Sequence, residues 1–320
     1  MHKTKTIKTC LVGLGNVGQG RYLKSGSKNS HIHSILENRS FELVAAVDPN
    51  LGQEIDLNLS AKVFSAINEL AGADIDLVVI ASPTHTHLEI CRNVEEYLKP
   101  KAVLIEKPTG LTLGECEKIS SSLKSVPLVL VNYQRNYNSD FIVSLNSICN
   151  SNYLKGTVYY SNGAINNASH GLALLISILG EPTNVYRLDK SKQESEGIED
   201  IDFVVEFDKK VITFLSTPES NYSMFRIELF GSENSWIYDA SLSHVEIRNR
   251  ESDPIYSNRF NLSITPEYLF IPDSESFLYV YKYIAGCIGE KERMLSKFAP
   301  NLELALAVHN VIAKVRESIA

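Results

Sequence analysis

The sequence predicts an α/β chain. An N-terminal parallel sheet with helices on both faces is followed by an α+β domain on a large, mostly antiparallel open sheet. Three observations predict this. Strand-like and helix-like segments alternate through the first 130 residues, the pattern of a parallel sheet with crossover helices. The strand-like runs there are apolar without polar alternation, as strands covered on both faces are. Beyond about Asn132 the alternation stops and a hairpin and several shorter strands follow.

The elements follow in order. Strands are expected at residues 7–12, 41–47, 77–81, 102–105 and 128–131. Residues 89–98 and 113–123 have helical spacing, and Thr112 followed by Glu115 forms a capping box for the second. The Ser/Asn-rich stretch 24–34 is expected to be a loop. Residues 167–179 are apolar on most faces and stop at Gly180, a favoured residue just past a helix end. Phe203-Val204-Val205-Glu206-Phe207, then Asp208-Lys209-Lys210, then Val211-Ile212-Thr213-Phe214 reads as a hairpin with a charged tip. Further strands are expected at 225–230, 236–238 and 244–247. Leu302, Leu304, Ala305, Val308, Val311, Ile312 and Val315 give the final segment a helical period. The expected division is residues 1–132 and 133–320, with the helix at about 302–319 packing back on the first domain.

Composition narrows the function. The chain has 320 residues, enough for two domains, with 44% hydrophobic and 22% charged residues. Its net charge of −7 argues against a nucleic-acid-binding body. No segment approaches the roughly 18 uninterrupted apolar residues of a membrane span. The basic start, with His2, Lys3, Lys5 and Lys8, lacks a signal peptide's apolar stretch. The five cysteines are scattered without a C-x-x-C pair, so neither a metal site nor a disulfide framework is expected, and a reducing cytoplasm fits best.

Directly after the first strand comes Gly13-Leu14-Gly15-Asn16-Val17-Gly18. Gly13 permits a tight strand-to-helix turn, Gly15 lets backbone approach a pyrophosphate, and Gly18 lets helix and strand pack closely. Phosphates would then sit where free N–H groups favour anions. Asp48 ends the second strand and can accept hydrogen bonds from both ribose hydroxyls. It would repel a 2′-phosphate, so NAD is favoured over NADP. Asp48 lies 30 positions past Gly18, where about 20 is usual, and the inserted stretch 24–34 accounts for the excess. This is the fingerprint of a Rossmann domain.

A second motif, Ile105-Glu106-Lys107-Pro108, ends a buried-looking strand on the ligand side. The residue before a proline is held extended, so a stiff backbone aims Lys107. Beside a nicotinamide, desolvation and the ring's positive charge would lower a lysine's pKa toward a useful acid/base range. The other reading of such a lysine is an ion pair with a neighbouring carboxylate.

With these motifs the chain resembles the Gfo/Idh/MocA oxidoreductases, the family of glucose–fructose oxidoreductase and inositol dehydrogenase. The resemblance runs over nearly the whole length. It includes the glycine turn, Ala81-Ser82-Pro83-Thr84-His85-Thr86-His87 beside the cofactor, and Glu106-Lys107-Pro108, the most specific of the family's motifs. It also includes Tyr133-Gln134-Arg135-Asn136-Tyr137 at the crossover and the closing helix. It implies Lys107 as acid/base. It implies cofactor contacts from Gly13, Gly15, Asn16, Val17, Gly18, Asp48, Ser82, Pro83, His87, Glu106 and Lys107. His85 and His87 either line that cleft or cap the helix after Pro83.

The family's D-x-G-x-H-x-x-D motif is altered. Here it reads Asn166-Asn167-Ala168-Ser169-His170-Gly171-Leu172-Ala173, with Asn166 and Ala173 in place of the aspartates. Asparagine orients a hydroxyl but takes no proton. His170, in a first helical turn, is disfavoured as a cation by the helix dipole and is available to bond a substrate hydroxyl. The implied catalytic set is Lys107, His170 and Asn166, with Arg135, Tyr133 and Asn167 toward substrate. Tyr159 and Tyr160 are further candidates for the pocket border. Arg135 either binds a substrate acid or phosphate or ties the domains together.

The resemblance thus implies hydride transfer between a nicotinamide cofactor and a hydroxyl or ketone of a sugar, nucleotide sugar or cyclitol, possible work in surface-polysaccharide synthesis, and a homodimer or homotetramer. The alternative is a non-catalytic sensor or scaffold of the same fold, since the family includes a dinucleotide-binding regulator of galactose metabolism. The glycine phrase also occurs in homoserine-dehydrogenase-like proteins.

Overall fold

A computed structural model describes residues 6–20, 28–50, 61–188, 193–195, 198–217, 222–289 and 298–318. The chain divides into two compact units, one of Met1–Tyr137 with Ser274–Leu306 and one of Asn138–Asp273 with Ala307–Ala320.

The first unit holds strands β1 (Ile7–Val12), β2 (Phe41–Val47), β3 (Lys62–Phe64), β4 (Leu77–Ile80), β5 (Ala102–Ile105) and β6 (Leu128–Val131). They form one sheet in the order β3-β2-β1-β4-β5-β6, every neighbouring pair parallel. The strand order reverses between β1 and β4, the switch point where such sheets bind ligands. Every residue of β4 and β5 is buried, which explains their unbroken apolar sequences.

Helix α1 (His31–Glu37) begins inside the stretch expected to be a loop. Ser30 caps it, its hydroxyl accepting from the His33 N–H. Residues 24–27 of that stretch lie outside the described residues. Polar His31, His33 and Ser34 hide the helix from a periodicity reading, yet all three are buried with Ile32 and Ile35. Helices α2 (His87–Tyr97) and α3 (Leu113–Ser122) follow β4 and β5, and Thr112 caps α3 through the Glu115 N–H as the capping box predicts. The core joins Leu11, Val79 and Leu104 of the sheet to Ile32 and Ile35 of α1. Val280, Tyr281 and Ile284 of a later helix, Ser276–Gly289, belong to the same cluster. Each such aliphatic side chain contributes about 1.5–3 kcal/mol by leaving water.

In the second unit α4 (Ser139–Cys149) precedes β7 (Leu154–Tyr160), and α5 (Ser169–Leu179) precedes β8 (Asn184–Arg187). The strands β9 (Gln193–Ser195) and β10 (Ile198–Asp200) pair with each other. Then come β11 (Phe203–Phe207), β12 (Lys210–Ser216), β13 (Phe225–Gly231), β14 (Asn234–Asp239), β15 (His244–Ser252), β16 (Phe260–Leu262) and β17 (Glu267–Phe270). The large sheet runs β16-β15-β14-β13-β7-β12-β11-β8, with β17 also on β15. It is antiparallel except for β7 beside β12. Alternate residues such as Phe203, Val205 and Phe207, or Phe225, Ile227 and Leu229, are buried, the period of a sheet with one covered face. Gly171 of α5 lies against Val158 and Phe214 on that face. The described helices end with α6 (Ser276–Gly289) and α7 (Leu302–Glu317). Among the described residues no helix is long and apolar enough to cross a membrane.

Candidate dinucleotide and lysine site

The glycine turn leaves β1 at Gly13, whose φ of +95° suits glycine alone. The following residues, Asn16–Gly20, form one wide turn in which the Gln19 and Gly20 N–H groups both donate to the Gly15 carbonyl. Gly18 meets the backbone directly: a Cβ there would fall 2.1 Å from the Gly13 oxygen. Gly15 differs. Among the described residues a Cβ on it would meet no atom within 4 Å, so their packing does not demand a glycine there. Instead it is exposed on a cleft of about 500 Å³, a volume typical of small-molecule sites.

That cleft lies beyond the carboxyl ends of β1, β2 and β4, with Gly13, Asp48, Ser82 and Pro83 in its walls. Asp48 braces it. Its Oδ2 accepts the Leu14 N–H at 2.8 Å and its Oδ1 accepts the Asn50 N–H at 2.9 Å. The carboxylate thus fixes the glycine turn to the end of β2, and each oxygen keeps a further lone pair for a hydroxyl. An open backbone approach at Gly15, with an acceptor-only carboxylate across the cleft, fits a dinucleotide's phosphates and ribose. Sequence reasoning missed Ser65, Ala66 and Ile67, which also line the cleft. They follow the three-residue strand β3, too short to give a periodic signal.

The two histidines after Pro83 separate. His85 lines the cleft, whereas His87 does not: it is wholly buried. Its Nδ1 lies 3.1 Å from the Thr109 carbonyl and its Nε2 3.0 Å from the Ser82 carbonyl. Burial holds the imidazole below its ordinary pKa against the pull of these two carbonyls. The neutral ring carries one N–H and donates to one of them. His87 therefore supports the Ser82 segment from behind rather than touching a cofactor. The Thr86 hydroxyl, 2.8 Å from Ser82 Oγ and 2.7 Å from the Pro83 carbonyl, fixes the same turn.

Glu106 and Lys107 stand one strand over, at the end of β5. The Glu106 N–H donates to the Ile80 carbonyl at 2.9 Å, joining this segment to the end of β4. The Lys107–Pro108 peptide is cis. Lys107 is partly buried, and its N–H donates to Glu106 Oε2 at 3.2 Å. The other carboxylate oxygen, Oε1, accepts from Asn132 Nδ2 at 2.6 Å and faces His31 Nε2 at 2.9 Å. His31 Nδ1 is in turn 2.9 Å from the Tyr281 hydroxyl. Burial pushes the Glu106 carboxyl up, but His31, Asn132 and the Lys107 charge outweigh it and hold the acid below the usual carboxylate range. His31, Asn132 and Tyr281 gave no motif signal, because three separate elements bring them together.

Tyr133 is fully buried in the first unit, and burial pushes its phenol above the ordinary range. It therefore presents no surface to a substrate. Arg135 sits in a short helical turn, Gln134–Tyr137, and is partly exposed. In the second unit Asn166 and Asn167 lie in the turn Ala164–Ala168, and His170 is the second residue of α5. The His170 ring is edge-on to Phe225 at 6.1 Å and 6% exposed. Tyr160 is wholly buried, its hydroxyl donating to the Ile201 carbonyl, so only Tyr159 of the pair keeps exposed surface.

Comparison with known proteins agrees with this architecture. Residues 7–133 match the model of the Gfo/Idh/MocA oxidoreductases, described as an oxidoreductase family with an NAD-binding Rossmann fold. Those residues are about two fifths of the chain, and over them it is similar to that family. An inositol 2-dehydrogenase from Rhizobium meliloti is 28% identical over 143 residues, 43% of this chain and 39% of that protein. An uncharacterized oxidoreductase of Schizosaccharomyces pombe is 31% identical over 153 residues, 45% of this chain and 38% of that protein. The matches thus span about two fifths of these relatives. Among solved structures, an NAD-binding oxidoreductase from Klebsiella pneumoniae superposes with a TM-score of 0.75 at 13% identity, over 98% of this chain and 96% of the other. The transcriptional regulator Gal80p from Kluyveromyces lactis gives 0.75 at 16% identity, over 99% and 90%. Both likenesses are of fold. The matched Rossmann part carries the glycine turn, the strand-end acid and the Glu-Lys-Pro segment.

Proposed function

We propose that this chain is an NAD-dependent oxidoreductase acting on a hydroxyl or ketone of a sugar, nucleotide sugar or cyclitol. The observation that carries the proposal is the pairing within one sheet of an Asp48-braced cleft and, one strand away, a partly buried lysine beside an ionised glutamate. Bound nicotinamide would supply the hydride acceptor or donor. Gly15 admits the phosphates, Asp48 accepts the ribose hydroxyls and disfavours a 2′-phosphate, and Ser82 and Pro83 form the opposite wall. Lys107 takes the proton from the reacting hydroxyl, or returns it to the ketone. The second unit's His170 and Asn166 are assigned to substrate hydroxyls on their sequence motif. The relationship to an inositol 2-dehydrogenase supports the polyhydroxylated substrate class.

The second reading is a dinucleotide-binding sensor. It is favoured by Asn166 and Ala173 where the family's motif has aspartates, and the fold likeness extends to a transcriptional regulator. One experiment separates the two. NAD(H) and NADP(H) are offered with nucleotide sugars, free sugars, inositols and their keto forms, with Lys107→Ala as control. Turnover lost in the variant supports the enzyme. Binding without turnover across the panel supports the sensor. We also infer that a second copy covers the outer face of the large sheet, where Phe230, Tyr268 and Phe270 are exposed. A monomer by light scattering would contradict that.

A further inference from the structure

The chain Tyr281–His31–Glu106–Lys107 crosses three sequence segments and has a direction. Tyr281 is wholly buried, and burial drives its phenol well above the ordinary range, so the hydroxyl stays protonated. That hydroxyl lies 2.9 Å from His31 Nδ1 and is the hydrogen-bond partner of that nitrogen. An ionised Glu106 only accepts, so His31 Nε2 carries an N–H and donates it to Oε1. Tyr281 thus holds the ring from its other nitrogen and His31 delivers the hydrogen bond. Phe277, edge-on to the His31 ring at 4.9 Å, helps to hold its plane. The His31 side chain has no exposure and that of Glu106 only 13%, so water is a poor substitute for the imidazole.

We propose that His31, set by Tyr281, is a positioning residue that keeps Glu106 ionised and oriented beside Lys107. The proposal rests on the reading of Lys107 as the acid/base. Buried without this donor, the carboxyl would be left with Asn132, its own neighbour's N–H and the Lys107 charge. Burial would then dominate and draw a proton onto it. A neutral Glu106 no longer stabilises the Lys107 ammonium, so the lysine's pKa falls.

Other groups that face Glu106 do not replace His31. Asn132, after β6, already donates to the same oxygen. Tyr137, in the turn Gln134–Tyr137, donates to the Val131 carbonyl and is held protonated by burial. His87 of α2 feels the Glu106 charge, but its nitrogens face the Ser82 and Thr109 carbonyls.

The test compares full-length wild type with His31→Leu, His31→Gln and Tyr281→Phe. The first readout needs neither cofactor nor substrate. Glutamate carboxyl carbons are 13C-labelled, the Glu106 signal is assigned with Glu106→Gln, and its shift is followed with pH. The wild-type carboxyl should titrate below the ordinary range. His31→Leu should raise its midpoint by about one unit or more, a tenfold change in proton affinity. His31→Gln, whose amide can still donate, should return most of the shift, and Tyr281→Phe should give an intermediate value. The second readout is the pH profile of kcat on whichever substrate the screen finds. The Lys107 limb should move to lower pH in His31→Leu, for oxidation and reduction alike, and return in His31→Gln. An unchanged Glu106 midpoint in a folded His31→Leu protein overturns the proposal, as does a moved midpoint with an unmoved limb. If wild type turns over nothing, the lysine reading fails, and the carboxyl titration alone decides whether His31 controls Glu106.

Discussion

Two glycines of one turn should behave in opposite ways. In Gly18→Ala the new methyl carbon would sit 2.1 Å from the Gly13 carbonyl oxygen, and the atom in the way is backbone. A comfortable carbon-to-oxygen approach is about 3.3 Å, so turn and strand must separate by roughly 1 Å at the start of the sheet. Overpacking of this kind costs about 1–3 kcal/mol, and a backbone clash belongs at the upper end. For a domain of 150–250 residues about 3 kcal/mol lowers Tm by roughly 6–12 °C. In Gly15→Ala the methyl meets no atom of the described residues within 4 Å. Stability should then stay within about 1 kcal/mol of wild type, since alanine also restricts the unfolded chain. The methyl instead occupies the approach to the backbone along the cleft. NAD affinity should fall at least tenfold, about 1.4 kcal/mol. The assays are thermal unfolding without ligand and NADH titration by fluorescence, on both variants. Equal destabilisation by the two substitutions, or undiminished NADH binding in Gly15→Ala, would refute the division of roles.

Three further outcomes follow from the same geometry. Asp48→Ala should weaken NAD binding and narrow any preference over NADP by tenfold or more, read as the ratio of the two Kd values; an unchanged ratio would remove Asp48 from cofactor choice. The lowered Glu106 pKa stabilises the fold above the ordinary glutamate value of about 4.3, and that contribution is lost as pH falls through and below it. Urea unfolding from pH 6 to 3.5 should show this loss, and His31→Leu should flatten it. His87→Phe leaves a buried carbonyl without its donor at Ser82 or Thr109 and should cost about 1–3 kcal/mol, with weaker NADH binding as the Ser82 wall loosens.

The sequence by itself determined the local chemistry. Short unbroken apolar runs between helical segments marked β4 and β5 as parallel strands covered on both faces. Gly13 and Gly18 were legible because each answers a backbone demand that one residue type meets. Thr112 with Glu115 announced the start of α3 for the same reason. Asp48 and the Glu-Lys-Pro segment were legible because each follows the carboxyl end of a parallel strand, the end at which such sheets bind ligands. Contacts between distant segments were not legible. His31 sat in a stretch whose serines, asparagines and histidines look like a loop, and only burial against the sheet and α6 makes it helix. Whether a polar side chain faces a cleft or the core was equally hidden. His85 and His87 stand two positions apart in one motif, yet one lines the cleft and the other holds it from behind. Tyr133 looked like a pocket residue and is core. A motif sets which groups are present, but the packing of α1, β5 and α6 decides which of them touch. That packing is why the glutamate beside the lysine stays charged.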